Sequence, residues 1–262
     1  MSDHIAAEPL SFGNCFRCDY DLTSLSPEQN CPECGLPIEA SLGRIQLAKA
    51  PPEYLAKLHK GVFIIQAAII CVILLFFAGM FAGMTFASSP NGVIPRPIDI
   101  SLGVLAVVLA FALLVGWWMF SEPHPEYEGT YNGSDMRRTV RVLLVVAAGL
   151  AAVDLVLSVL PASVAIGLVV MVLGVVAIIV SVARYFTQML YIRWMAPMLS
   201  NRKVYNRAKL LMWLGPVLMT VGILLLGLGP LIALVLYWNM LDWIRKDLKA
   251  IRADRQDFAE TA

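Results

Sequence analysis

Charged side chains are scarce: 15% of the 262 residues are Asp, Glu, Lys or Arg, against about 25% in soluble domains. A water-soluble globule needs polar residues to cover its surface. That scarcity, with an apolar content of 59%, excludes a single soluble domain. Intrinsic disorder is excluded too, because disordered chains are poor in apolar residues. Histidine is rare: His4, His59 and His124 all lie outside the long apolar runs. No intramembrane histidine metal site and no H-E-x-x-H helix can therefore be built. G-x-x-x-x-G-K-[ST] and G-x-S-x-G are missing, and no G-x-G-x-x-G follows a strand. With no nucleophile set or acid/base pair, the expectation is a protein that is not an enzyme. The opening MSDHIAAEPL has neither a basic n-region nor an apolar h-region, so a cleavable signal peptide is not expected.

The small net charge of +1 conceals a partition. Residues 1–40 carry Arg17 against Asp3, Glu8, Asp19, Asp21, Glu28, Glu33 and Glu39, a net −6, which leaves +7 on the rest. An acidic head thus precedes a basic, oily body. Residues 41–60 read as a linker containing Pro51 and Pro52. Its later part, PPEYLAKLHK, suits a helix opening on proline, where a missing N–H is harmless.

About 20 mostly apolar residues cross a hydrocarbon core of about 30 Å. Four runs meet that length: Gly61–Ala87, Ile100–Phe120, Val140–Leu160 and Ser163–Val182. The stretch from Lys209 to Ile244 would be about 54 Å long as one helix. Leu226-Gly227-Leu228-Gly229-Pro230 interrupts it, and Gly and Pro are the strongest local breakers. Two short spans, about 210–226 and 231–244, are expected. Six spans with the N-terminus inside put 19 of the 20 Lys/Arg on the cytoplasmic side and only Arg96 outside, as the positive-inside rule asks. Five spans would move the last five positives outside. Trp117, Trp118, Trp213, Trp238 and Trp243 fall near the same ends, as an aromatic belt would.

The expected fold is therefore all-α: a transmembrane domain of six helices over residues 61–246 and a cytoplasmic tail over 247–262. Its expected location is the cell (inner) membrane, with both termini cytoplasmic and the lipid bilayer as first partner. Residues 184–205 and the tail carry apolar residues at helical spacing among basic ones. They suit either a membrane surface or simple extension and mutual packing of the spanning helices.

The most specific motif is C-x2-C-x12-C-x2-C, formed by Cys15, Cys18, Cys31 and Cys34. Two such knuckles offer four thiolates, which suits a tetrahedral structural Zn²⁺. So short and acidic a segment has too few apolar residues to fold unaided, so the metal would supply folding energy. Gly35 allows the tight turn that aims N–H groups at sulfur. Two disulfides are the rival reading, disfavoured by the cytoplasmic placement. A redox C-x2-C pair lacks its strand–helix context. Cys15-Phe-Arg-Cys-Asp-Tyr-Asp-Leu22 followed by Cys31-Pro-Glu-Cys-Gly35 resembles the short zinc ribbon that opens many uncharacterised bacterial multi-pass membrane proteins. The resemblance covers residues 13–38 well and the membrane part more loosely. It implies that the four cysteines are the ligands and carries no activity with it.

A net −6 repels phosphate backbones, so a nucleic-acid role is not expected. The ribbon should instead meet a protein partner at the cytoplasmic face, or rest weakly and salt-sensitively on basic residues such as Arg202, Lys203 and Arg207. Inside the spans, Asp154 stands out, because ionisable groups are costly there. A transporter with Asp154 as coupling residue is the alternative function; satisfaction by a neighbouring hydroxyl such as Ser158 is the plainer account. Gln66 and Cys71 read as packing residues. Gly79-x-x-x-Gly83 offers a weak signal for close helix approach.

Overall fold

The computed structural model describes residues 14–261 apart from 27, 42–46, 48–49, 88–94, 124–133, 162, 200 and 221–227. Among the described residues seven helices are seen: α1 (Ile38–Ser41), α2 (Pro52–Ala87), α3 (Arg96–Phe120), α4 (Ser134–Val159), α5 (Val164–Met195), α6 (Arg202–Thr220) and α7 (Leu228–Thr261). Among the described residues the only β pairings are two isolated bridges in the N-terminal ribbon. Local signals set several helix starts. Helix α2 opens on Pro52 and α3 follows Pro95. The Ser163 hydroxyl accepts from the Ile166 N–H at 3.2 Å, capping α5. Asn201 does the same for α6, accepting from the N–H groups of Lys203 and Val204 at 3.0 and 3.2 Å.

From α2 to α7 each helix packs on the next, and α7 returns to α2, which closes a ring of six. Successive pairs run antiparallel. Gly61 meets Gly116 and Phe120, and the side chain of Arg141 reaches back to the end of α3, while Arg96 at the start of α3 reaches the end of α4. There Arg96 donates to the carbonyls of Val159 and Leu160 at 3.4 and 3.2 Å, and Arg141 donates to those of Trp118 and Ser121 at 3.2 and 2.9 Å. A cation at a helix C-terminus is favoured by the free carbonyls and the dipole.

The packed core lies toward one end of the ring. Val62, Ile65 and Ile69 from α2 join Trp117 and Phe120 from α3, Leu144 from α4, Met189 and Ile192 from α5, Leu211 from α6 and Leu241 and Ile244 from α7. Beyond it the helices present apolar side chains outward, among them Phe81, Met171, Ile179 and Val164. An aqueous surface would reject so many; a lipid surface suits them.

Four helices are long and apolar enough to cross a membrane: α2, α3, α4 and α5. The expected fifth and sixth spans fall on α6 and α7 and do not reach that standard among the described residues. Only 11 residues separate Lys209 from Thr220, about 16 Å of helix. Asp242 interrupts α7 after 14, about 21 Å. The intervening residues 221–227 lie outside the described set, as does residue 162 of the expected turn between α4 and α5.

Of the two accounts of residues 184–205 and the tail the structure selects one, and two further expectations change. Residues 184–195 continue α5, with Tyr191, Ile192 and Met195 buried in the core, and Leu248 and Ile251 of α7 are buried as well. Helix extension and mutual packing are thus the right account. Trp117 and Trp194 are core residues, while Trp118 is 46% and Trp213 69% exposed. Close approach occurs elsewhere than at Gly79 and Gly83, where an added Cβ would meet nothing within 4 Å. It occurs at Gly61 and Gly116. A Cβ on Gly116 would stand 2.8 Å from Ile65 Cγ1 and 3.2 Å from the Gly61 carbonyl oxygen. Gly116→Val should therefore cost about 1–3 kcal/mol by overpacking, seen as a lower unfolding midpoint in detergent. Gly83→Val is the matched control and should leave the midpoint in place.

Candidate metal centre and membrane cavity

Residues 14–38 are two copies of one turn, offset by sixteen positions. Asn14 bridges Asp21 and Asn30 bridges Pro37. The Cys15 N–H donates to the Tyr20 carbonyl at 2.7 Å and the Cys31 N–H to the Leu36 carbonyl at 2.8 Å. Asp19 and Gly35 occupy matching left-handed positions, with φ of 65° and 69°. Glycine takes that conformation without strain; aspartate is among the few other residues that tolerate it. Leu22 and Ile38, again sixteen apart, are buried with Cys15 and Cys31. The repeat is written in NCFRCDYDL and NCPECGLPI, a signal that motif reading alone passes over.

The duplication brings all four thiols together. Cys15 Sγ lies 3.6 Å from Cys34 Sγ, Cys18 Sγ lies 3.5 Å from Cys31 Sγ, and all four are within 4.8 Å of one another. None is in a disulfide. Four sulfurs at 2.3 Å from a tetrahedral Zn²⁺ would sit about 3.8 Å apart, so the cluster has the size of a metal site. Cys15, Cys18, Cys31 and Cys34 would hold the ion. Backbone N–H groups are aimed at sulfur in the same symmetric way, Tyr20 to Cys18 and Leu36 to Cys34. Burial pushes the Cys31 thiol up, but N–H bonds from Cys34 and Glu33 and the adjoining thiols outweigh it and bring it down to about 7. Cys18 takes the opposite part. Its Tyr20 bond lowers it, yet burial and proton sharing with the other thiols drive it up to about 12. One thiol in such a group ionises readily and holds its proton partner beside it.

The ribbon is held against the membrane domain by one side chain above all. Arg202, at the start of α6, forms an ion pair with Asp19. It also donates to the carbonyls of Phe16 at 2.9 Å and Arg17 at 3.0 Å. Phe16 stands edge-on to Tyr205 at 5.7 Å, and Arg193 lies over the Tyr205 ring, 5.0 Å from its centre. Arg17 donates to the Cys34 carbonyl at 3.3 Å, tying the two knuckles together. The contact is thus a shaped one through the first knuckle, more specific than a diffuse attraction between the acidic head and a basic face.

In the membrane domain, a cavity of about 410 Å³ opens between α2, α3, α4 and α5. Asp154 lines it, along with Ser181 and Arg184. Sequence reading placed Arg184 at the start of an amphipathic inside segment and left Asp154 without a charged companion. The continuation of α5 brings both to one cavity. Ser158 does not serve Asp154: its hydroxyl donates to the Leu155 carbonyl at 2.8 Å within its own helix. Gln66 is buried and accepts from Arg245 at 3.3 Å, a packing role as expected. Cys71 is exposed on α2. His4 and His124 lie outside the described residues.

The chain matches no protein-family model, no curated protein and no solved structure.

Proposed function

We propose that the protein is a non-enzymatic integral membrane protein whose cytoplasmic zinc ribbon mediates or regulates contacts with a protein partner. The supporting observation is the tetrathiol cluster seated on the start of α6 through Arg202. A ribbon so placed joins metal binding to the position of a surface that a partner can share. Its likeness to ribbons of bacterial multi-pass membrane proteins accords with that reading. The fuller architecture belongs here too: six spans, with α6 and α7 as the short fifth and sixth, and both ends cytoplasmic. Helices α6 and α7 complete the ring, and tilt or local thinning absorbs their shortness.

Reporter fusions after Gly61, Phe120, Val182 and Ile244 should read cytoplasmic, and those at Asn91 and Ala162 external. A fusion at Gly229 separates two arrangements. An external reading makes α6 and α7 true spans, whereas a cytoplasmic one makes them a re-entrant pair that dips into the bilayer. Both keep the C-terminus inside, so an external C-terminus overturns the topology. Recovery of a partner by the intact chain, and its loss when Cys15, Cys18, Cys31 and Cys34 are all serine, tests the ribbon's role.

A second reading, a small-solute transporter with Asp154 as coupling residue, is favoured by one observation: Asp154 lines a cavity in the membrane domain. Solute flux in liposomes that Asp154→Asn abolishes would establish it.

A further inference from the structure

The cavity is chemically uneven. Leu109, Leu113, Leu150, Leu173 and Val180 give it aliphatic walls, and its polar side chains are Asp154, Ser181 and Arg184. A buried water needs two to four polar partners, and the long aliphatic stretch supplies none, so the space is ill suited to a hydrated ion path. Beyond Arg184 along α5 the ring is closed by buried Tyr185, Met189, Trp117 and Tyr237. The volume of about 410 Å³ falls within the roughly 300–1,000 Å³ of small-molecule sites.

Arg184 is the unusual group. Its side chain is only partly exposed, and among the described residues no acid pairs with it. A guanidinium stays charged, and one at the end of an apolar cavity is a ready partner for an anion. Asp154 is on the wrong level to be that anion. It lies six residues before the end of the α4 arm at Leu160, whereas Arg184 lies 21 residues past Ser163 on α5. At 1.5 Å per residue the two are about 20 Å apart along the bundle. Among the described residues none supplies that anion, which leaves the guanidinium open to one from outside the chain.

We propose that this cavity binds a single-chain anionic amphiphile of the fatty-acid type. The carboxylate pairs with Arg184 beside the Ser181 hydroxyl, and the hydrocarbon runs along the aliphatic wall toward Asp154. The guanidinium fork matches a carboxylate in two parallel hydrogen bonds. Asp154 at the far end selects against a second acid group there, so a dicarboxylate should be rejected. The proposal rests on the cavity reading and names its ligand, but it requires binding alone and no transport.

The test is equilibrium binding of dodecanoate and dodecanol to the purified full-length chain in nonionic detergent. Dodecanoate should bind at one per chain, about ten-fold or more tighter than dodecanol, as expected of hydrogen bonds to a charged group. Arg184→Gln should erase that preference and Arg184→Lys should retain most of it. Ala177→Phe, which fills the cavity away from Arg184, should abolish dodecanoate binding and keeps the test valid if Arg184→Gln does not fold. Acetate and inorganic phosphate should not compete, which separates an amphiphile from a free anion. Equal binding of acid and alcohol, a preference that survives Arg184→Gln, or no dodecanoate binding would overturn the proposal. Binding without solute flux would remove the transporter and leave this site; flux without binding would do the reverse.

Discussion

Replacing Cys31 with serine should strip the metal from the ribbon and unfold residues 14–38. Purified protein should carry about one zinc per chain, and the Cys31→Ser chain should carry almost none. The effect is large because so little else holds this segment. Its apolar core consists of Leu22 and Ile38 beside two of the cysteines, and its backbone is joined by two isolated bridges. Structural zinc contributes about 10–16 kcal/mol of apparent binding free energy at neutral pH, which for a site of this kind is folding free energy. Limited proteolysis should then cut within the ribbon while α2–α7 survive. Acidification should mimic the substitution, since protons and metal compete for the same thiolates. Zinc retained at full occupancy when all four cysteines are serine would overturn the assignment.

Arg202→Ala should free the ribbon without unfolding it. The substitution removes the ion pair to Asp19 and both bonds to the carbonyls of Phe16 and Arg17. The ion pair is exposed, at 44% and 61% of the two side chains, and so is worth about 1 kcal/mol at most. The two charge-assisted carbonyl bonds and the Phe16–Tyr205 edge contact carry the remainder. High salt should consequently loosen the docking only in part, whereas Arg202→Ala should release it by ten-fold or more, in keeping with hydrogen bonds to a charged group. Arg202→Lys should behave nearly as badly, because an ammonium cannot reproduce the fork that spans two carbonyls and a carboxylate. The readout is protease cleavage in residues 41–50, faster in the variant, with zinc content unchanged. Cleavage at the wild-type rate would mean that Arg202 does not hold the ribbon.

The metal cluster was legible because thiolate chemistry is local. Two C-x2-C pairs can be read as a site from spacing alone, and the structure brings Cys15, Cys18, Cys31 and Cys34 together. Its exact symmetry was present in the sequence as well, through Asn14 and Asn30, Asp19 and Gly35, and Leu22 and Ile38. Arg202 was legible as one of the basic residues on which the acidic head should rest, but not as the one that grips the first knuckle. Nothing in its neighbourhood says that its partner lies more than 180 residues away.

Composition and the length of apolar runs determined by themselves that the chain is helical, with helices long and apolar enough to cross a membrane, since a bilayer demands such helices whatever packs beside them. They equally determined the four candidate spans from α2 to α5, and the cysteine spacing determined the N-terminal thiol cluster. Tertiary structure decided what depends on register between helices: closure of the ring by α7 on α2, the Gly61–Gly116 approach, and the seat of the ribbon on Arg202. It decided above all that Arg184 continues α5 and shares a cavity with Asp154. A basic residue just past an apolar run looks solvent-bound in sequence. Only the neighbouring helices determine whether the next two turns of α5 emerge into water or remain buried among them.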